Sequence, residues 1–279
     1  MTIGEAIVWG KHQLTQAEKD DAGLAPAIFL QSICHYTNIQ LYLQTDTVLT
    51  SLQEQQYKDC IAARAQGKPV AYIMGEKEFY GLDFKVNENV LIPRPETELI
   101  VDEVLSLHHQ GIEFKSILDV GTGSGALAVT LKHYLPYAQV TAVDISEKAL
   151  ELAQFNAQKH ATQINFIISD LLQNVKQSYD LIVANLPYVS WSDKMSLSQE
   201  VRHEPEEALF ADQEGLGLYI RFIKQAAKQL NPKGMVLCEF GIDQSRAIKK
   251  IFEQSTFTVL KNIKDLSQID RVIVAQLSQ

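Results

Sequence analysis

Residues Ser116–Val120 form an apolar run that empties into Gly121-Thr122-Gly123-Ser124-Gly125 and then into the helix-forming stretch Ala126–Tyr134. No other feature of the chain limits its fold as strongly. Glycine tolerates left-handed backbone and lets another group approach the main chain. Gly121 and Gly123 therefore predict a tight turn beside a ligand, and Gly125 predicts close packing of the following helix against the strand. Further apolar runs follow at Gln139–Asp144, Asn165–Ile168, Tyr179–Asn185, Met235–Phe240 and Arg271–Gln276. Helical stretches separate them at Glu147–His160, Leu216–Leu230 and Ser245–Phe252. This alternation predicts an α/β fold with a mostly parallel sheet covered on both faces. Ligands in such sheets bind at the carboxyl ends of the strands.

The strand after the glycine loop ends at Asp144, 19 residues beyond Gly125, where a carboxylate can accept both hydroxyls of a ribose. Gly121, Gly123 and Ala126 also satisfy the G-x-G-x-x-G/A pattern of dinucleotide enzymes. The loop alone thus leaves NAD and S-adenosyl-L-methionine open. Asp119, just before the turn, favours the methyl donor, whose loop sits near a sulfonium and an ammonium rather than a pyrophosphate.

A second motif, Asn185-Leu186-Pro187-Tyr188, closes the run Tyr179–Asn185 at the same sheet edge. An amide or aryl-amine nitrogen has a delocalised lone pair and must be held in line with the methyl–sulfur bond to react. The Asn185 side-chain oxygen can accept one N–H, and the backbone carbonyl of Leu186 can accept the other. Pro187 forces residue 186 into extended backbone and so aims that carbonyl. Tyr188 can stack on a flat substrate group. Asn and Pro are also ordinary turn residues; the order and position of the two motifs select the functional reading.

Residues 1–70 read as helices. Thr15-Gln-Ala-Glu18 has capping-box spacing, Ile28, Phe29, Ile33 and Cys34 fall on one helical stripe, and a helix from about Leu52 to Ala65 stops at Gly67. Residues 71–93 alternate aromatic and polar residues around turn formers, as in Ala71-Tyr-Ile-Met-Gly75 and Phe79–Val86, and predict a linking β-hairpin. Pro93 and Pro95 then break regular structure before a helix that starts near Glu96. The predicted organisation is a helical domain over 1–70, a hairpin over 71–93 and an α/β domain over 94–279.

The net charge of −9 and the acidic balance of residues 1–70 argue against a nucleic-acid grip. The three cysteines lack CxxC spacing and the seven histidines form no metal-ligand pattern, so no metal site is expected. The start has no basic segment leading into an apolar run, and no stretch is long and apolar enough to span a bilayer. A cytoplasmic protein is expected.

Several blocks together resemble the bacterial release-factor glutamine methyltransferases: Pro69–Gly75, Glu78–Phe84, Leu91-Ile-Pro-Arg-Pro-Glu-Thr-Glu98, Leu118–Gly125, Asp144, Asn185–Tyr188 and the closing Asp270-Arg-Val. The resemblance runs from about residue 60 to the end, and the block ending Ile-Pro-Arg-Pro-Glu-Thr-Glu is its most specific part. It implies a Rossmann-like, seven-stranded class I methyltransferase sheet with a small helical N-terminal domain that holds the release factor. It implies N5-methylation of the glutamine in the Gly-Gly-Gln loop of peptide chain release factors, with S-adenosyl-L-methionine as donor and S-adenosyl-L-homocysteine as product. It places Pro95 and Thr97 near the methionine end of the cofactor, although a stiffened linker and a helix cap would use the same residues. Asp170 can accept the adenine amino group or cap a helix before Leu171, and Leu171 can cover the adenine by apolar contact. Two residues depart from the family pattern. Leu186 replaces the usual second-position proline of Asn-Pro-Pro-Tyr, and Leu171 stands where relatives often carry an aromatic. The tetrad also resembles that of RNA adenine-N6 methyltransferases, and a non-catalytic translation-factor binding module is an alternative of another class.

Overall fold

Short threonine-capped helices build the first part of the chain, in a computed structural model that describes residues 1–278. They are α1 (Ile3–Gln16), α2 (Ala25–Cys34), α3 (Asn38–Leu43), α4 (Ser51–Ala65) and α5 (Val70–Met74). Thr2, Thr37 and Thr50 each accept the N–H three residues on, while Glu5, Gln40 and Gln53 return the bond. These are the capping boxes. The one expected at Thr15 is not formed: Thr15 lies inside α1, and its hydroxyl donates to the Lys11 carbonyl at 2.8 Å. The stripe on α2 is also shifted. Ala25, Pro26, Phe29 and Leu30 are buried, while Ile28 stays 40% exposed. α4 ends as expected at Gly67, whose φ is +94°. Gly67 N–H donates to the Arg64 carbonyl and Lys68 N–H to the Ala63 carbonyl, a pattern that satisfies the last carbonyls of the helix.

The core of this unit joins Ile3, Leu14, Phe29, Leu41, Tyr57 and Ile61. Arg64 is buried in it at 1% exposure, with ion pairs to Asp21 at 2.9 Å and to Glu200. The unit comprises residues 1–76 together with 198–203.

The second unit, 77–197 with 204–278 of the described residues, carries the sheet. A hairpin of β1 (Glu76–Phe79) and β2 (Leu82–Lys85) precedes a 3-10 turn at Pro95–Thr97 and α6 (Glu98–His109). The segment Ala71–Gly75, expected in the hairpin, is instead α5, closed by Gly75 in a left-handed conformation. Then come β3 (Ser116–Val120), α7 (Ala126–Tyr134), β4 (Gln139–Asp144), α8 (Glu147–Lys159), β5 (Ile164–Ile168) and β6 (Tyr179–Ala184). β7 (Val189–Ser190), the short α9 (Glu206–Leu209) and β8 (Phe210–Ala211) form an excursion, with β7 and β8 paired. α10 (Gly217–Ala226), β9 (Leu230–Glu239), α11 (Ser245–Glu253), β10 (Phe257–Lys264) and β11 (Asp270–Leu277) complete the fold.

The sheet has seven strands in the order β10-β11-β9-β6-β3-β4-β5, parallel except that β11 runs antiparallel to both β9 and β10. Strand alternation divides the core into two layers. Ile117, Leu181, Val183, Leu237 and Val274 join α6 and α7 on one face. Leu118, Ile182, Val236, Cys238 and Ile273 join α10 and α11 on the other. β10 was not among the apolar runs read from the sequence. It is an edge strand whose pairing is interrupted at Leu260, itself half-exposed, so its hydrophobic pattern is weak. The helix expected over Leu216–Leu230 stops at Ala226, because Tyr179 N–H takes the Gln229 carbonyl and Leu230 pairs with β6. No helix of the described residues is long and apolar enough to cross a membrane.

Candidate functional site

The carboxyl ends of β3, β4 and β6 open on a cavity of about 510 Å³, within the range of small-molecule sites. Its wall includes Thr97, Gly121, Thr122, Gly123, Ser124, Asp144, Asp170, Leu171, Asn185, Leu186 and Pro187. The motifs that sequence places at neighbouring strand ends are thus brought together. Gly125, Pro95 and Tyr188 are not among the lining residues.

The glycine loop is fixed by its own neighbourhood. Gly121 and Thr122 donate their N–H groups to the Val143 carbonyl at 2.9 and 3.0 Å. The buried Asp119 accepts from the Thr122 hydroxyl at 2.6 Å and from Ala128 N–H at 3.2 Å through Oδ2. Its Oδ1 is buried without a partner among the described residues, and burial pushes the carboxyl up to about 7. Asp144 accepts from Gly123 N–H and Ser146 N–H, both at 2.9 Å. Burial raises its pKa, and those two N–H bonds oppose the rise. Gly123 has φ +54°, and a Cβ there would meet no protein atom within 4 Å. The space beside the loop is therefore open to a ligand. Gly125, at φ +82°, serves a different packing from the one expected: a Cβ would come within 3.1 Å of Ala153 on α8, not of the strand before it.

Leu171 lines the cavity in a left-handed conformation, φ +51°, which is uncommon outside glycine. Asp170 pairs with Arg221 and accepts from Gln173 at 3.0 Å. Turns, not a helix, follow it, so it caps none.

At the end of β6, Asn185 Nδ2 donates to Thr97 Oγ1 at 2.9 Å. The Thr97 hydroxyl donates to Glu239 Oε2 at 2.6 Å, and the Tyr188 hydroxyl donates to Glu239 Oε1 at 3.4 Å. The Tyr188 ring sits against Gly241, where a Cβ would come within 2.9 Å of it. Tyr188 is half-buried and is not among the residues that line the cavity. Tyr219 donates to the Glu239 backbone carbonyl at 2.5 Å and lies 3.4 Å from the Leu186 carbonyl.

Sequence reading missed Glu239, a buried carboxylate at 2% exposure that follows the apolar run Met235–Cys238 at the end of β9. A lone acid at the carboxyl end of a buried strand was the available signal. Glu204 is buried, pairs with Arg94 and accepts Ile92 N–H at 3.2 Å, so it braces the Ile-Pro-Arg-Pro segment. Trp191 stacks on Phe210 at 4.5 Å between centroids, and both border the cavity.

Comparisons with known proteins agree with this geometry. Residues 97–216 match the Methyltransferase small domain family and residues 5–75 match the PrmC N-terminal domain. The chain is 36% identical over 279 residues to the release factor glutamine methyltransferase of Koribacter versatilis, covering 99% of each chain. It is 35% identical over 274 residues to the one from Geobacter sulfurreducens, covering 98% of this chain and 95% of that one. Among solved structures, a methyltransferase from Pyrococcus furiosus superposes with a TM-score of 0.54 at 18% identity, over 82% of this chain and 100% of that one; this likeness speaks to the fold.

Proposed function

The chain belongs to the release factor glutamine methyltransferase family, and from that premise we propose how its residues carry out the reaction. It is an S-adenosylmethionine-dependent enzyme that methylates the side-chain amide nitrogen, N5, of the glutamine in the Gly-Gly-Gln loop of a peptide chain release factor. S-adenosylmethionine, when bound, supplies an electrophilic methyl group on a sulfonium and leaves as S-adenosylhomocysteine.

The cavity suits that cofactor. The backbone of Gly121, Thr122, Gly123, Ser124 and Gly125 forms the cradle that only a missing Cβ leaves open at Gly123. Asp144 keeps lone pairs free for ribose hydroxyls. Leu171 covers the adenine and Asp170 accepts its amino group. The unpartnered Oδ1 of Asp119 places negative charge for the ammonium and sulfonium. Thr97 borders the methionine end, and Pro95 sets the turn that delivers it.

The single observation that carries the substrate reading is the bond from Asn185 Nδ2 to Thr97. With the nitrogen so engaged, Asn185 Oδ1 is left to accept one N–H of the substrate amide. The Leu186 carbonyl, directed by Pro187, accepts the other. Leucine serves here because only the backbone is used. Tyr188, bonded to Glu239, acts as a positioning residue. No base is required before transfer, since the methylated amide sheds its proton afterwards. The helices of residues 1–70 hold the release factor, and the chain works in the cytoplasm without gripping nucleic acid or membrane.

Asn185→Ala tests this reading. An orienting hydrogen bond in a water-poor site contributes about 2.7–4 kcal/mol, a hundredfold to a thousandfold in rate. Single-turnover methylation of a release factor, with both substrates saturating, should slow by that factor while calorimetric affinity for the cofactor holds. A near-wild-type rate would reduce the tetrad to a structural turn.

A further inference from the structure

We propose that Glu239, acting through Thr97, is the residue that decides which end of the Asn185 amide faces the substrate. The inference rests on the role of Asn185 given above and extends it to groups far away in sequence.

An amide side chain is nearly symmetric in shape but opposite in hydrogen-bonding sense at its two ends. For Asn185 to hold a substrate N–H it must present oxygen. Packing alone distinguishes the two ends poorly, so a partner of fixed polarity is needed. Thr97 by itself does not provide one, because a hydroxyl both donates and accepts. Glu239 removes the ambiguity. An ionised carboxylate only accepts, so it captures the single Thr97 proton at 2.6 Å. Thr97 Oγ1 is then restricted to accepting, and the group it accepts from is Asn185 Nδ2 at 2.9 Å. The second Glu239 oxygen takes the Tyr188 hydroxyl, which ties the turn of the tetrad to the same carboxylate. Thr97 and Glu239 are buried at 5% and 2% exposure, which strengthens the bond between them.

The strand register delivers this arrangement. Cys238 pairs with Ala184 in the parallel β9–β6 ladder, which sets Glu239 level with Asn185 at the same sheet edge. Val272 of β11 pairs with Glu239 from the other side. Thr97 arrives from the turn before α6.

Protonation of Glu239 would reverse the chain of bonds. A carboxylic acid can donate to Thr97, the Thr97 proton then turns to Asn185, and Asn185 would present its NH₂ to a substrate that also brings N–H groups. The carboxyl is pushed up to about 7, by burial first and by Glu96; the Thr97 and Tyr188 bonds and Arg271 oppose the rise. Tyr219 and Cys238 also face this group, and burial keeps both neutral through this range. The rate constant of transfer should therefore fall as pH drops through about 7.

The test compares Thr97→Val, Thr97→Ser, Glu239→Gln and Asn185→Ala in single-turnover methylation of an intact release factor from pH 6 to 8.5. Calorimetry measures S-adenosylhomocysteine affinity, and carboxyl NMR of the cofactor-free protein follows Glu239. With cofactor and substrate saturating, Thr97→Val should slow transfer about 10–100-fold, the usual cost of removing an orienting partner. Thr97→Ser should recover most of that loss. Glu239→Gln, which cannot ionise and accepts at only one of its two ends, should flatten the low-pH decline. In an Asn185→Ala background, Thr97→Val should add nothing, because both remove the same interaction. A wild-type rate for Thr97→Val, losses that multiply in the double variant, or an unchanged pH profile in Glu239→Gln would overturn the proposal while leaving Asn185 in place. A near-wild-type Asn185→Ala would instead overturn the reading of the tetrad itself.

Discussion

The ends of β3 and β6 are neighbours in the sheet, yet they are held by different means. At the end of β3 the glycine loop is fixed by groups close at hand: Thr122 reaches Asp119 three residues back, and Gly123 reaches Asp144 at a separation of 21. At the end of β6 the tetrad depends on Thr97, 88 residues from Asn185, and on Glu239, 142 residues from Thr97 and 51 from Tyr188. A loop built from local bonds keeps its shape wherever its strand pair forms. A turn oriented by distant side chains takes its working form only once the sheet is complete and α6 has docked. The cofactor end is thus held mainly by the adjoining strand pair, and the substrate end is a property of the whole fold.

Substitutions at the β3 end should break cofactor binding without touching the tetrad. The largest effect is expected for Gly123→Val. The protein has no atom within 4 Å of the new Cβ, so the side chain enters ligand space, at the added strain of a left-handed residue. Affinity for S-adenosylmethionine should fall on the order of a hundredfold or more, about 2.8 kcal/mol, with far-ultraviolet circular dichroism unchanged. Calorimetry that returned the wild-type affinity would place the cofactor elsewhere.

Asp144→Ala should come next. Loss of hydrogen bonds to a carboxylate costs about 1.5–3 kcal/mol, and S-adenosylmethionine and S-adenosylhomocysteine share the ribose concerned. Both affinities should drop together; a loss confined to one of them would remove the ribose assignment.

The smallest effect concerns pH and weighs the two strand ends against each other. Asp119 and Glu239 are both pushed up to about 7 in the folded protein, against about 4 in an unfolded chain. The folded state binds the extra protons, so their contribution to stability is full below about pH 4 and is lost as pH rises through about 7. The melting temperature of Asp119→Asn and of Glu239→Gln, in the absence of cofactor, should decline less than that of the wild type between pH 5 and 8. Identical slopes in all three proteins would mean that neither carboxyl is perturbed in this way.

This contrast also explains what could be read in the amino-acid sequence. Gly121, Gly123 and Asp144 announce themselves because a turn, a close approach and a ribose acceptor sit at short fixed spacing. Asn185–Tyr188 is legible as a motif, and its place at the sheet edge follows from the alternation of strands and helices. The seventh strand was hidden by its half-exposed, bulged edge position at Leu260. Ala71–Gly75 misled because aromatic alternation over so few residues fits a strand and a single helical turn equally. Glu239 was marked only as a lone acid at a strand end, and its connection to Thr97 is created by strand order and register.

Asn156 has a consequence of another kind. Its buried side chain accepts Lys85 N–H at 2.8 Å, donates to the Lys85 carbonyl at 3.0 Å and donates to the Ser124 carbonyl at 2.8 Å. One amide therefore links the main chain of β2 to that of the glycine loop. Departure of either the hairpin or the loop leaves part of the buried Asn156 amide without a partner, so the two are coupled through its cost. The Lys85 amide proton becomes a built-in gauge of loop breathing, read by deuterium exchange at a position that touches no ligand.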